Sequence, residues 1–126
     1  MITAVHTIVY TSDPAATRAF FRDVLEFPSV DTGGGWLIFR TGPSELGVHP
    51  SAWEHDGQTG GTEQQFEVSL ICDDLRSTMT ALAERGARFE GDVHEAGWGR
   101  IARLLVPGAA AMTLYQPTYD PPATAS

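Results

Sequence analysis

Apolar and polar positions follow one another along the chain in an order that occurs twice. Residues 3–10 (TAVHTIVY) are rich in β-branched and aromatic side chains, which predicts a β-strand. Over residues 14–25 the apolar positions change to helical spacing and would lie on one face of a helix. The side chains on that face are Phe20, Phe21, Val24 and Leu25.

Local signals define the ends of this helix. Ser12 or Asp13 can cap its first turn. Pro14 is well tolerated at the first position, because the N–H of that position has no partner within a helix. Pro28 prevents the helix from continuing.

Short strands and glycine-containing turns follow. Residues 36–40 (WLIFR) and 45–49 (ELGVH) have the composition of strands, and turn signals precede them at 33–35 (GGG) and 41–44 (TGPS). Residues 51–65 are rich in glycine and polar side chains and have no periodicity. This composition indicates a linker or a mobile loop.

The second half repeats the order. FEVSLIC (66–72) predicts a strand, Asp73 or Asp74 a helix cap, and Gly86 the end of that helix. The helix stripe consists of Leu75, Met79 and Leu82, and further strands are expected at 87–93, 100–106 and 111–116. A strand–helix–strands unit of about 60 residues therefore occurs twice, as in an internal duplication.

The duplication pairs residues that have ligand chemistry. Asp13 corresponds to Asp74, an offset of 74 − 13 = 61, and the same offset carries His6 to Glu67. Strand alternation places both on the strand faces opposite the helices. This pair favours a metal site. In the alternative, His6 is a hydrogen-bonded strand histidine and Glu67 a solvated carboxylate at a strand edge.

Composition restricts the partners and the compartment. Eight Lys and Arg against 16 Asp and Glu give a net charge of −8, which disfavours nucleic acid and anionic membranes as partners. No apolar run approaches the roughly 18 residues of a membrane span, and MITAVHTIVY lacks the basic start of a signal peptide. A cytoplasmic location is expected. Cys72 is the single cysteine and is expected to be a small buried hydrophobe.

These segments resemble the vicinal oxygen chelate superfamily, which includes glyoxalase I, bleomycin-resistance proteins, fosfomycin-resistance proteins and extradiol dioxygenases. The resemblance covers nearly the whole chain and rests on VHTIVYTSDPAATRAFFRDVLEF, ELGVHP, FEVSLICDDLRSTMTALAERGARFEG and PG…MTLYQP. It implies an α+β fold in which two tandem βαβββ modules form curved mixed sheets around a shared groove. In one such domain, module one covers about residues 1–50, a linker 51–65, module two 66–117 and a flexible tail 118–126.

One residue departs from the family pattern. Glu26 follows the helix where members of the family usually have glycine. We therefore expect a slightly strained helix exit at this position.

The resemblance implies that metal ligands come from the first and last strands of each module. His6 and Glu67 would be the first-strand ligands. In the last strands, Thr113 replaces the usual carboxylate and Gly47 takes the other ligand position. His49 lies two residues further along the same face, so His6, His49 and Glu67 could hold Zn²⁺, Mn²⁺, Ni²⁺ or Fe²⁺.

Other side chains are expected to line the groove and contact a small-molecule substrate: Trp36, Trp98, Arg100, Thr113 and Tyr115. Aromatic rings in a cleft stack on planar or apolar ligands. Trp36 belongs to a continuous apolar run, so core packing is its alternative role. Trp98 and Arg100 belong to the polar turn EAGWGR, which favours ligand contact.

Two functions fit these features. The first is a metal-dependent lyase, isomerase or dioxygenase, with Glu67 as ligand and base or Glu45 as the base. The second is a metal-free protein that sequesters a small molecule, and the net charge of −8 would favour a cationic ligand. The three candidate ligands favour the enzyme, which we prefer, whereas Thr113 favours the binding protein. The resemblance also implies a homodimer.

Overall fold

The computed structural model describes residues 6–48 and 50–123. In chain order its elements are α1 (Pro14–Ala19), a π-helical turn (Phe20–Val24), β1 (Ser29–Asp31), β2 (Leu37–Phe39), β3 (Ala52–His55), β4 (Gln58–Gly61), β5 (Ser69–Ile71), α2 (Leu75–Glu84), β6 (Phe89–Ala96), β7 (Gly99–Leu104) and β8 (Met112–Pro117). No helix in these ranges is long and apolar enough to cross a membrane. The α+β class predicted from the sequence is confirmed.

The second half forms a four-stranded sheet with the order β5-β8-β7-β6. β5 runs parallel to β8, whereas the other pairs are antiparallel. The predicted order of strand, helix and three strands is therefore present here, although β5 begins only at Ser69. Phe66, the first residue of the strand predicted at 66–72, lies before β5 and is 90% exposed.

Helix α2 packs on one face of this sheet. Its side chains Leu75 and Leu82 are buried against Ala102, Leu104 and Leu114. Burial of such side chains contributes on the order of 2 kcal/mol each. The core of the protein therefore lies between α2 and the sheet.

Caps fix both ends of α2. Asp74 rather than Asp73 is the N-cap, and its Oδ1 accepts from Ser77 N at 3.1 Å. Gln116 Oε1 accepts from Leu75 N at 2.9 Å and so ties the start of the helix to β8. Gly86 follows the helix with φ +98°, the left-handed conformation typical of a C-terminal glycine.

The first helix is joined to the second half. Asp13, one of the two residues predicted to cap this helix, is its N-cap, and its Oδ1 accepts from Ala16 N at 3.1 Å. Thr17 is buried and its hydroxyl contacts the carbonyl of Pro107, while Ser12 N donates to Gly108 O at 2.8 Å. Together with the burial of Phe20 in the core, these contacts attach the helix to the turn before β8.

Two predicted strands of the first half are wrong within the described residues. Residues 6–10 have no regular structure. The next residue, Thr11, forms an isolated antiparallel bridge with Ala109. Residues 41–48 form no strand either, and Leu46 and Val48 in the strand predicted at 45–49 are 94% and 97% exposed. A strand is stable only when its backbone groups pair with a neighbouring strand, and neither segment has such a neighbour among the described residues. Residues 1–5 and His49 lie outside the described residues.

The segment predicted as a linker or mobile loop contains a β-hairpin. β3 and β4 pair antiparallel across Asp56 and Gly57, whose φ angles are +51° and +77°. Such a two-residue turn is favoured by the sequence Asp-Gly. The ring of Trp53 lies so close to Gly60 that an added Cβ would be 2.1 Å from it, so a larger residue at this position would displace the ring.

A smaller hairpin, β1 with β2, packs on the first helix. Phe39 of β2 meets Phe21 edge to face, with ring centroids 5.6 Å apart. Core packing of Trp36 is wrong, because its side chain is 60% exposed and the guanidinium of Arg18 lies 4.7 Å above its ring.

The outer strand β6 is irregular. Its pairing with β7 shifts between Glu90 and His94, and Gly91 between them has φ +70°. This arrangement is a β-bulge, which bends an edge strand and increases its twist.

The strained helix exit is confirmed at Glu26, which has φ +59°. Its carboxylate lies 3.4 Å from Arg85 Nε, and both side chains are substantially exposed. We expect Glu26→Gly to raise the free energy of unfolding by about 1 kcal/mol, because the left-handed conformation disfavours residues with a Cβ. The lost surface ion pair costs less, about 0.5 kcal/mol.

Urea unfolding followed by circular dichroism measures this effect. Glu26→Gln is the matched control, because it removes the charge and keeps the strain; we expect no gain for it. A Glu26→Gly variant that is less stable than the parent would contradict the assignment of strain.

Candidate functional site

The face of the four-stranded sheet that points away from α2 carries the candidate site, and we call it the distal face. Strand register places its side chains in two rows. One row consists of Ser69, Thr113, Arg103 and Glu90, and the next of Ile71, Tyr115, Ile101 and His94. Strand alternation thus separates these residues from the core residues Leu70, Leu114 and Ala102.

Thr113 links a cation and a carboxylate on this face. Arg103 Nη1 donates to Thr113 Oγ1 at 3.3 Å, and Thr113 Oγ1 donates to Glu67 Oε1 at 3.0 Å. Thr113 itself is only 6% exposed, whereas Arg103 and Glu67 are exposed. The three side chains form a polar chain across β7, β8 and the segment that leads into β5.

This donor set does not fit a divalent metal. The Thr113 hydroxyl is neutral and directs its proton toward Glu67, so it replaces a carboxylate by a weaker ligand. The guanidinium of Arg103 adds a fixed positive charge beside it, and that charge would repel a second cation.

The predicted metal ligands are not brought together within the described residues. His6 is exposed and precedes all regular structure, while Glu67 belongs to the polar chain with Thr113. His49 lies outside the described ranges. Over residues 6–48 and 50–123, no group of three His, Cys, Asp or Glu side chains is arranged to hold a metal ion.

Aromatic side chains lie one row away from the polar chain. The rings of Trp98 and Tyr115 meet edge to face, with centroids 5.2 Å apart. Tyr115 is buried, whereas Trp98 is half-exposed in the turn between β6 and β7. Two of the residues predicted to contact a ligand are therefore in mutual contact.

Tyr119 connects this pair with Glu45. The Tyr119 hydroxyl donates to Glu45 Oε2 at 2.9 Å and lies 2.9 Å from the Tyr115 hydroxyl. Glu45, predicted as a catalytic base in the groove, is thus joined to the aromatic pair and not to Glu67.

The segment from Thr118 to Ala123 lies against the same region. Thr118 N donates to Trp98 O at 3.0 Å, and Ala123 N donates to Glu45 Oε1 at 3.4 Å. The sequence predicts an extended or disordered tail here, and the contacts show that residues 118–123 have defined partners. Residues 124–126 lie outside the described ranges.

A pocket of about 290 Å³ opens between this segment and the end of β5. It is lined by Ile71, Cys72, Asp73, Pro117, Tyr119 and Pro121. Burial raises the pKa of the Cys72 thiol, whose Sγ lies 3.5 Å from Tyr115 O. The thiol is therefore protonated near neutral pH and contributes an apolar surface rather than a nucleophile.

Arg100 and Trp36 lie elsewhere. Arg100 pairs with Glu95 at 2.8 Å and shares a strand row with Gln116, on the same side of the sheet as α2. Trp36 contacts Arg18 of the first helix. Neither residue has a described contact with the polar chain.

Sequence reasoning missed Arg103 and Tyr119. Arg103 could have been found, because it lies two residues from both Ile101 and Leu105 in the apolar stretch RIARLLV. Side chains two residues apart in a strand share one face of the sheet. Tyr119 had no such signal, since its tail segment lacks periodicity.

Tyr119 gives the site a pH dependence. Its hydrogen bond with Tyr115, then desolvation and its hydrogen bond to Glu45, raise the pKa of Tyr119 well above its usual value. In the unfolded chain the pKa of tyrosine is about 10. Because the pKa is higher in the folded protein, the neutral hydroxyl contributes fully to the free energy of unfolding below that value, and the contribution is lost as the pH rises toward the folded-state pKa.

We expect Tyr119→Phe to lower the free energy of unfolding by about 1 kcal/mol at about pH 8, as for one hydrogen-bonded group. The difference from the parent should shrink at about pH 11, where the parent alone loses stability. Urea unfolding at both pH values measures it, with Tyr10→Phe, an exposed tyrosine, as control. An equal difference at both pH values would contradict the proposed titration.

Comparison with known proteins gives the family. The family model described as "Glyoxalase/Bleomycin resistance protein/Dioxygenase superfamily" matches residues 3–117. No curated protein matches the chain significantly.

Several solved structures have a similar fold. TnmS3, an antibiotic binding protein from Streptomyces sp. CB03234, is 20% identical with a TM-score of 0.54 and covers 93% of this chain and 100% of its own. Lactoylglutathione lyase from Agrobacterium tumefaciens is 17% identical with a TM-score of 0.60, over 91% and 94% of the two chains. A superfamily member from Sphaerobacter thermophilus is 26% identical with a TM-score of 0.59, over 91% and 98%. The chain therefore belongs to the Glyoxalase/Bleomycin resistance protein/Dioxygenase superfamily.

Proposed function

We propose that this protein binds a small planar molecule on its distal face and does so without a metal ion. The observation that carries the proposal is the hydrogen-bonded chain from Arg103 through Thr113 to Glu67. Thr113, which the resemblance assigns to the position of the usual carboxylate, has a neutral hydroxyl, and the guanidinium of Arg103 lies beside it. This preference reverses the one drawn from the three candidate ligands in the sequence.

The aromatic residues support a binding role. Trp98 meets Tyr115 edge to face and remains half-exposed, so one face of its indole ring is available to a flat ligand. Stacked rings contribute about 1 kcal/mol beyond their buried area. The fold is also that of TnmS3, which is described as an antibiotic binding protein.

The alternative function is a metal-dependent lyase, isomerase or dioxygenase. The fold is equally that of a lactoylglutathione lyase, and the superfamily often uses divalent metals. Glu67 favours this alternative, because only its Oε1 accepts a hydrogen bond among the described residues. In that function His6, His49 and Glu67 are the ligand set, and Glu45 or Glu67 is the base.

A second copy of the chain is the proposed structural partner. The groove would lie between tandem modules, and the first module of each copy would help to form it. Ile8, Tyr10, Leu46, Val48 and Phe66 are exposed apolar side chains in or next to segments that lack strand partners. Unpaired extended segments with apolar side chains form stable structure when they pair with another chain.

We further propose a cytoplasmic location, which fits the single free thiol.

Metal content and ligand binding together test the function. Untagged protein is expected to contain far less than about one Zn, Mn, Ni or Fe per chain and to take up none on titration. Naphthamide, a neutral planar probe, is expected to quench tryptophan fluorescence in the parent and in Trp53→Phe. The quenching should be lost in Trp98→Phe, because the ligand contacts that ring.

Two results would overturn this proposal. One is about one metal ion per chain that disappears in a His6→Ala/Glu67→Ala double variant, which would establish the enzyme-type site instead. The other is the absence of binding for planar aromatic probes of every charge.

The dimer is tested separately. Val48→Glu is expected to shift the protein from dimer to monomer in size-exclusion chromatography with light scattering, since a carboxylate cannot be buried in an apolar interface without a large cost. Ser44→Glu adds the same charge at an exposed polar position of the same segment and should leave the dimer intact. A parent protein that is monomeric at high concentration would exclude the proposed pairing.

A further inference from the structure

Arg103 differs from the three arginines that form ion pairs among the described residues. Arg22, Arg85 and Arg100 lie within 4 Å of Asp23, Glu26 and Glu95 respectively. For Arg103 the described residues provide one hydrogen bond, to Thr113, and no carboxylate within ion-pairing distance. A guanidinium has five N–H donors in a planar fork, so most of its donors remain available to a ligand.

Glu67 lies near this charge but does not form an ion pair with it in the described structure. Thr113 Oγ1 accepts from Arg103 Nη1 at 3.3 Å and donates to Glu67 Oε1 at 3.0 Å, so these two charged atoms are at most 6.3 Å apart. Thr113 thus stands between the guanidinium and the carboxylate. A ligand in contact with Arg103 therefore experiences its charge more strongly than that of Glu67.

Glu90 is a second carboxylate near Arg103. The two residues are paired across β6 and β7 on the same row of the distal face. Their side chains do not form an ion pair in the described structure, although this register would permit one. Removal of the Glu90 charge would therefore strengthen the attraction of Arg103 for an external anion.

The aromatic pair lies at a suitable distance from this cation. Tyr115 is two residues along β8 from Thr113, and Trp98 contacts its ring. Two residues of a strand span about 7 Å, so one ligand can contact the aromatic pair and Arg103 at the same time.

We propose that Arg103 determines the specificity of the distal face and that its ligand is a planar aromatic molecule with an anionic oxygen group, such as a carboxylate. This inference rests on the proposed binding function and identifies its ligand class. The net charge of −8 favours cations only at long range, where salt screens it. At contact, charge-assisted hydrogen bonds from a guanidinium fork to two oxygens decide the preference.

Three probes of one shape and different charge test the inference: naphthoate, naphthamide and naphthylmethylammonium. Their dissociation constants are measured by tryptophan fluorescence. In the parent protein, naphthoate should bind about 10-fold or more tightly than naphthamide, as charge-assisted hydrogen bonds predict. The preference should vanish in Arg103→Met and be reduced in Arg103→Lys, which keeps the charge without the fork.

Two further variants act as matched controls. Arg76→Met removes an exposed arginine from α2, on the other side of the sheet, and should change nothing. Glu90→Gln removes the competing carboxylate and should tighten naphthoate binding severalfold while naphthamide binding stays constant. Because it leaves Arg103 in place, this variant tests the inference even if Arg103→Met fails to fold.

The outcomes separate the inference from the function on which it rests. Equal binding of naphthoate and naphthamide, a preference retained in folded Arg103→Met, or tightest binding of naphthylmethylammonium would overturn the role of Arg103 and leave the binding function standing. Failure of all three probes to bind would overturn the binding function itself.

Discussion

The position of β8 between β5 and β7 is the constraint on which the rest of the structure depends. Its residues alternate between Met112 and Leu114, which face α2, and Thr113 and Tyr115, which face the other way. A shift of one residue in this register would exchange the two sets. The core and the candidate site are therefore specified by the same strand, and neither can change its register alone.

The polar chain on the distal face illustrates how a sheet can hold charged groups without burying them. Thr113 is the buried member and is satisfied by both neighbours, whereas Arg103 and Glu67 keep contact with solvent. A buried hydroxyl with both a donor and an acceptor partner costs little, and the exposed ions avoid the desolvation penalty of a buried ion pair. This arrangement keeps a guanidinium oriented and still accessible.

Sequence patterns predicted the second half well, because its signals are local. The cap at Asp74, the glycine at Gly86 and the apolar stripe of α2 all act within a few residues. The first half was predicted less well, because ELGVH has strand composition but finds no partner within the described part of one copy. The Asp-Gly turn at residues 56–57 was a local signal that the apparent disorder of its polar surroundings concealed. At the site, Thr113 was identified from its position in the family pattern, whereas the link from Glu45 to Tyr119 joins residues 74 positions apart and has no signature in the sequence.

The bulge at Gly91 bears on how the molecule avoids aggregation. β6 is the longest strand and lies at the edge of its sheet, so a regular β6 would offer a row of unpaired backbone groups to any extended peptide. The bulge interrupts that row, and charged residues beside it, Glu90 and Asp92, make stacking of like copies unfavourable. Indiscriminate growth into fibrils is thereby suppressed at this edge.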